Sequence, residues 1–187
     1  TSLEKFLTTK LSNYFIKIKN SNCIFDIMID EIHKEVQSMS LVYKNILVGI
    51  DGSKEAESAL NKAIDIAKRN EANLLIAHVI DTTSFAIAET YTSTAVESAK
   101  AYAQQLLEKY KSQAEVKGVK HVEIVAEYGS PKAIIATKLP EQHATDLIVC
   151  GAVGMNALER LLIGSVSSYI TRHAPCDVLI MRTTNKH

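Results

Sequence analysis

The chain has 187 residues, 47% of them apolar, with 21 basic side chains balanced by 21 acidic ones. That length suits one domain with an appendage, and the apolar share suffices for a sizeable core. The charge balance argues against a nucleic-acid binder that works by bulk charge, and no run of eighteen apolar residues predicts a membrane span.

Residues 1–41 contain "FLTTKLSNYFIKIKNSNCIFDIMIDEIHKEV", rich in Ile, Phe, Asn and Lys. They do not fit the plan of the rest. The expectation is a leader, disordered or non-native, with Met39 close to the true start. The alternative is a partner-binding helix with Ile24, Phe25, Met28, Ile32 and Val36 on one face. The segment lacks the apolar centre and small-residue cleavage site of a secretory signal. Cys23, Cys150 and Cys176 are widely scattered, which points to reduced thiols in the cytoplasm.

From residue 42 onward, strands and helices alternate. "KNILVGI" at 44–50 reads as a buried strand ended by Asp51-Gly52. Ser53 reads as an N-cap, with Glu55 and Glu57 in the first turn of a helix. Ala56, Ala59, Leu60, Ala63, Ile64 and Ala67 then recur at helical spacing. "NLLIAHVI" at 73–80 is a second strand. A long helix follows, with Val96, Ala99, Ala103, Leu106, Leu107, Tyr110 and Ala114 on one face and Gly118 at its end. "HVEIVAEY" at 121–128 alternates, as a less buried strand does. Ser130-Pro131 opens another helix, expected to be interrupted at Pro140. "DLIVCG" at 146–151 is the fourth strand. After a glycine-punctuated excursion a helix begins near Ser165, and "DVLIM" at 177–181 is the fifth strand. Strands separated by helices run parallel, so the fold class is α/β: a doubly wound, five-stranded parallel sheet with helices on both faces.

In such sheets, ligands sit beyond the carboxyl ends of the strands. Two strand ends stand out. Asp51 follows strand 1. Its carboxylate can accept hydrogen bonds from an adenine amine or a ribose, or help hold a metal; equally, Asp-Gly makes turns. After strand 4, Gly151 and Gly154 let backbone approach a ligand, and Gly164-Ser165 opens a helix whose free N–H groups suit phosphate. Ser165 and Ser167 add hydroxyls. The plain alternative is a crossover loop followed by a Ser-capped helix. Arg160, inside the excursion, either reaches phosphates or is solvated.

Several chemistries are excluded. There is no G-x-x-x-x-G-K-[ST], no G-x-G-x-x-G after strand 1 and no G-x-S-x-G elbow. His173 and Cys176 have ligand-like spacing but no second pair beside them, so zinc is not expected. His78 reads as a core or strand-end polar residue, and His121 and His143 as surface.

The combination of "KNILVGIDGS", "LLIAHVID", the long motif G-x2-G-x9-G-[ST] over Gly151, Gly154, Gly164 and Ser165, and the closing "PCDVLIMR" resembles the universal stress protein family, in its ATP-binding branch. The resemblance covers about residues 42–183. It implies strand order 3-2-1-4-5 in one nucleotide-binding domain over 42–187. It implies a homodimer through the last strand, 177–181, and ATP with Mg²⁺ as ligand. By position it implies that Gly49, Ile50 and Asp51 line the pocket, with Asp51 also the candidate ligand for Mg²⁺. Val79 meets the adenine edge, Cys150 and Gly151 lie by the ribose, and Gly154, Gly164, Ser165, Val166 and Ser167 cradle phosphate. The chain departs from the family pattern at Ala152 and Val153, where polar residues are common, and Met155 supplies no base. The expected function is a stress-response sensor or regulator. Hydrolysis is slow or absent, since no general base is placed for it. The alternatives are a weak ATPase or phosphotransferase, and a nucleotide-free dimerisation module.

Overall fold

The computed structural model describes residues 43–82, 93–154 and 163–183. The expected leader, Arg160 and Met155 lie outside the described residues. The expected segments form five parallel strands: β1 (Asn45–Ile50), β2 (Asn73–Asp81), β3 (His121–Gly129), β4 (Leu147–Gly151) and β5 (Asp177–Met181). Their order is β3-β2-β1-β4-β5, as the resemblance implied.

The four long helical segments pack on the two faces of this sheet. Among the described residues they are α1 (Lys54–Asn70), α2 (Ser93–Val116), α3 (131–142) and α4 (Ser165–His173). Alternate residues of each strand feed different layers. On one face Ile46, Val48 and Ile76 meet Leu60 and Ile64 of α1 and Leu107 and Tyr110 of α2. On the other, Leu47, Leu75 and Ile148 meet Ile135 and Leu139 of α3 and Ile170 of α4. The central strands β1 and β4 are buried on both faces. The edge strand β3 alternates between exposed and half-buried, as its sequence predicts.

Local signals act largely as read. The Ser53 hydroxyl accepts the Ala56 N–H at 3.1 Å and caps α1. Gly118, at φ +95°, follows the end of α2 in a conformation that suits glycine. Pro131 occupies the first turn of α3.

The expected interruption at Pro140 does not occur. α3 runs through three consecutive pieces, Pro131–Ala133, a π-helical turn Ile134–Lys138, and Leu139–Gln142. Leu139 N–H reaches the Ile134 carbonyl, five residues back. A proline ring in regular α-helix lacks a donor and meets the carbonyl four residues earlier. The wider turn just before Pro140 shifts that carbonyl, so the helix continues instead of breaking.

Candidate functional site

Parallel strands place every strand-to-helix loop at one edge of the sheet. A cavity of about 570 Å³ opens there. All eleven residues singled out from the sequence line it: Gly49, Ile50 and Asp51 from the end of β1, Val79 from β2, Cys150 and Gly151 from β4, and Gly154, Gly164, Ser165, Val166 and Ser167 beyond. The N-termini of three helices also reach it, through Ser53 and Ala56 of α1, Pro131 of α3, and Ser165 to Ser167 of α4. Their dipoles make this end of the sheet favourable to negative charge.

The helix ends differ in what they leave free. α1 is capped by Ser53 and carries Glu55 and Glu57 in its first turn. α4 begins at Gly164, which supplies no capping side chain, and has no acid in its first turn. Its first helical bond runs from Ser168 N–H to the Gly164 carbonyl at 2.9 Å. The N–H groups of Ser165, Val166 and Ser167 therefore have no partner within the helix.

The glycines of the motif also serve the packing of the fold. A Cβ on Gly151 would stand 2.9 Å from Glu55 Cβ and 3.0 Å from the Glu55 carbonyl carbon. Gly151 thus holds the end of β4 against the first turn of α1 while also lining the cavity. A Cβ on Gly164 would lie 3.3 Å from the Ala152 oxygen, and Gly164 N–H donates to that oxygen at 2.7 Å. The loop after β4 and the start of α4 are thus bonded together. Ser167 strengthens this knot. It is buried, and its hydroxyl donates to the Gly151 carbonyl at 2.6 Å, so that proton is engaged by the protein itself. Ala152 is buried, its N–H donating to the Met181 oxygen at 2.7 Å. Ala152 of "GAVG" is therefore tied to the last strand, whereas Val153 lines the cavity.

Asp51 makes the turn that its sequence context allowed, and it also lines the cavity. Its Oδ1 accepts Ser53 N–H at 2.9 Å, forming the turn into α1. Its Oδ2 stands 2.7 Å from where a Gly154 Cβ would be, so the carboxylate lies across the loop after β4 and inside the cavity. Cys150 lines the wall, and burial pushes its thiol up to about 11.

Sequence reasoning missed Asp81, Ile135 and Pro131 among the lining residues. Asp81 follows Val79 by two, so strand alternation puts both on the same face; that period was the available signal. Ile135 stands 3.6 Å from where a Gly49 Cβ would be. Its place depends on the packing of α3, which no local pattern announces. Among the described residues lining the cavity there are two carboxylates, Asp51 and Asp81, and no Lys, Arg or His. His121 is exposed, as read, and so is His143, which pairs loosely with Glu123 at 3.9 Å. Among the described residues no cluster of three His, Cys, Asp or Glu side chains could hold a metal alone.

The model of the universal stress protein family matches residues 42–182. The chain belongs to the universal stress protein family. A curated protein of that name from Staphylococcus haemolyticus (strain JCSC1435) is 50% identical over 143 residues, which is 76% of this chain and 87% of the relative. Universal stress protein UspA from Lactobacillus plantarum has a similar structure, with TM-score 0.67 and 31% identity over 76% of this chain and 100% of that one. A universal stress protein crystallised in complex with cAMP superposes with TM-score 0.58 at 26% identity, over 77% of this chain and 100% of that one. No helix among the described residues of this universal stress protein is long and apolar enough to cross a membrane.

Proposed function

We propose that the protein binds an adenine nucleotide, foremost ATP with Mg²⁺, and acts as a cytoplasmic stress-response sensor or regulator. One observation carries this reading: the uncapped N-terminus of α4 and the Asp51 carboxylate face the same cavity. Its volume of about 570 Å³ suits a ligand of nucleotide size. The relative solved with cAMP supports the adenine class.

In this reading the base lies against the end of β2 at Val79, and the ribose over Cys150 and Gly151. The phosphates accept hydrogen bonds from Ser165, Val166 and Ser167 N–H. Ser165 is the hydroxyl left to assist, since that of Ser167 serves Gly151. The residues present suit Mg²⁺, which is commonly held by one or two carboxylates together with substrate phosphates; Asp51 is that carboxylate. Bound Mg²⁺ supplies charge neutralisation between Asp51 and the phosphates. Hydrolysis is slow, because no histidine lies among the described lining residues and Asp51 Oδ1 is already bonded to the backbone. The domain extends over 42–187. β5, with a strand neighbour on only one side, pairs with its copy in a homodimer.

The test is direct. The purified protein is denatured and the released small molecules identified by mass spectrometry. Melting is then followed with ATP, ADP, AMP and cAMP at millimolar concentration, with and without Mg²⁺. A ligand at about a hundred times its Kd adds roughly 2.7 kcal/mol of stability. Recovered adenine nucleotide, or a clear rise in Tm, is the expected result. Neither, for any of the four, rejects nucleotide binding and leaves the nucleotide-free module. Recovered ADP with released phosphate favours the ATPase. Light scattering showing a monomer rejects the β5 pairing.

A further inference from the structure

Directly behind Asp51, on the face of the sheet away from the cavity, lies a histidine that the site description does not use. Ala77, Val79 and Asp81 of β2 line the cavity, and strand alternation turns His78 to the α1 and α2 side. His78 pairs in register with Ile50, the last residue of β1. Its Nδ1 lies 2.9 Å from the Ile50 carbonyl oxygen. A carbonyl only accepts, so this bond requires the proton on Nδ1, and the neutral ring then carries none on Nε2. The Ile50 carbonyl belongs to the peptide unit from which Asp51 departs. We propose that His78 is a positioning residue for the nucleotide site: its Nδ1–H fixes the Ile50–Asp51 peptide plane, and so aims the Asp51 carboxylate across the cavity at Gly154.

Two further observations support this. The ring is itself held, since Tyr102 of α2 meets it edge to face with centroids 6.2 Å apart. Tyr110 of α2 is buried on the same face of the sheet, and burial first, then Glu57, Tyr102 and Asp51, raise its hydroxyl pKa. A carboxylate bonded to Ser53 N–H on one side and oriented by a fixed peptide on the other has little freedom left. Preorganisation of this kind lowers the ordering cost of binding.

The inference rests on the nucleotide reading above, and its test separates the two. Long-range ¹H–¹⁵N spectra of the full chain report which ring nitrogen of His78 bears the proton. The expected result is Nδ1–H in the neutral ring, and Nε2–H overturns the inference whatever the nucleotide does. Mg²⁺-ATP affinity is then measured for wild type, His78→Leu and His78→Asn, with Tm for each. His78→Leu is expected to weaken binding roughly three- to tenfold, the usual effect of one lost hydrogen bond. His78→Asn keeps a donor near the Nδ1 position and is expected to restore affinity to within about twofold of wild type. Wild-type affinity in His78→Leu overturns this inference alone. Equal weakening in both variants also overturns it, since the donor is then not what matters. A wild type that binds no nucleotide overturns both readings. If His78→Leu does not fold, the ring tautomer and the asparagine variant still decide.

Discussion

The N-termini of α1 and α4 point into the same cavity, yet their ends are finished in opposite ways. α1 has Ser53 as a cap and Glu55 and Glu57 to answer its dipole. α4 starts at a bare glycine with no acid behind it. A capped, acid-bearing end has its donors and its field satisfied by its own chain. An uncapped end leaves that task to solvent or to a ligand anion. The contrast separates a helix start satisfied by its own chain from one left open, the one to which the proposed function assigns phosphate.

The largest expected effect comes where the two regions touch. Gly151→Val drives a branched side chain into the first turn of α1, which has no room even for a Cβ. A loss of about 3 kcal/mol is expected in denaturant unfolding, the upper range for overpacking a filled site. Next comes pH. The Cys150 thiol holds its proton to about 11 in the native state, against 9.0 for the ordinary group. Its folded pKa is the higher one, so its contribution is complete below pH 9 and is lost as pH rises toward 11. The decline amounts to roughly 2–3 kcal/mol. Burial also raises the Tyr43 and Tyr110 hydroxyls, which extends the fall above pH 10. Unfolding curves from pH 8 to 11 measure it, and Cys150→Val is expected to lessen the fall between 9 and 11, leaving the part due to the Cys176 thiol, which burial also raises, and to the two tyrosines.

Two exchanges then test the contrast itself. Gly164→Asp gives α4 the cap and charge that α1 already has. Nucleotide affinity is expected to fall tenfold or more, because the new carboxylate takes the place of the phosphate, and Tm is expected to fall as well, since the added Cβ crowds the Ala152 oxygen at 3.3 Å. Unchanged affinity would remove α4 from the site. Ser53→Ala does the converse at α1. It is expected to cost about 1 kcal/mol of stability and to leave affinity nearly unchanged.

Much of this was legible in the sequence, and the reasons differ by element. The strands announced themselves because β1 and β4 are buried on both faces and therefore carry unbroken apolar runs. Asp51 and the glycine motif could be assigned to one edge of the sheet because parallel topology leaves them nowhere else. What each glycine faces was not legible. Gly151 meets Glu55, nearly a hundred positions earlier in the chain, and only tertiary packing brings them together. The hydroxyl of Ser167 looked available for phosphate, but the helix turns it back onto Gly151. Pro140 was read by its usual rule, and the π turn beside it set that rule aside. The sequence reads His78 as a core or strand-end polar residue, and its register opposite Ile50 gives that polarity a partner.

The central claim is that phosphate oxygens occupy the open end of α4. Amide ¹H–¹⁵N spectra, recorded while Mg²⁺-ATP is titrated into the full-length protein, test it most directly. The expected result is large, saturable shifts at Ser165, Val166 and Ser167, with the Ala56 amide, already bonded to Ser53, moving far less. Saturation of binding with those three amides unmoved would contradict the account.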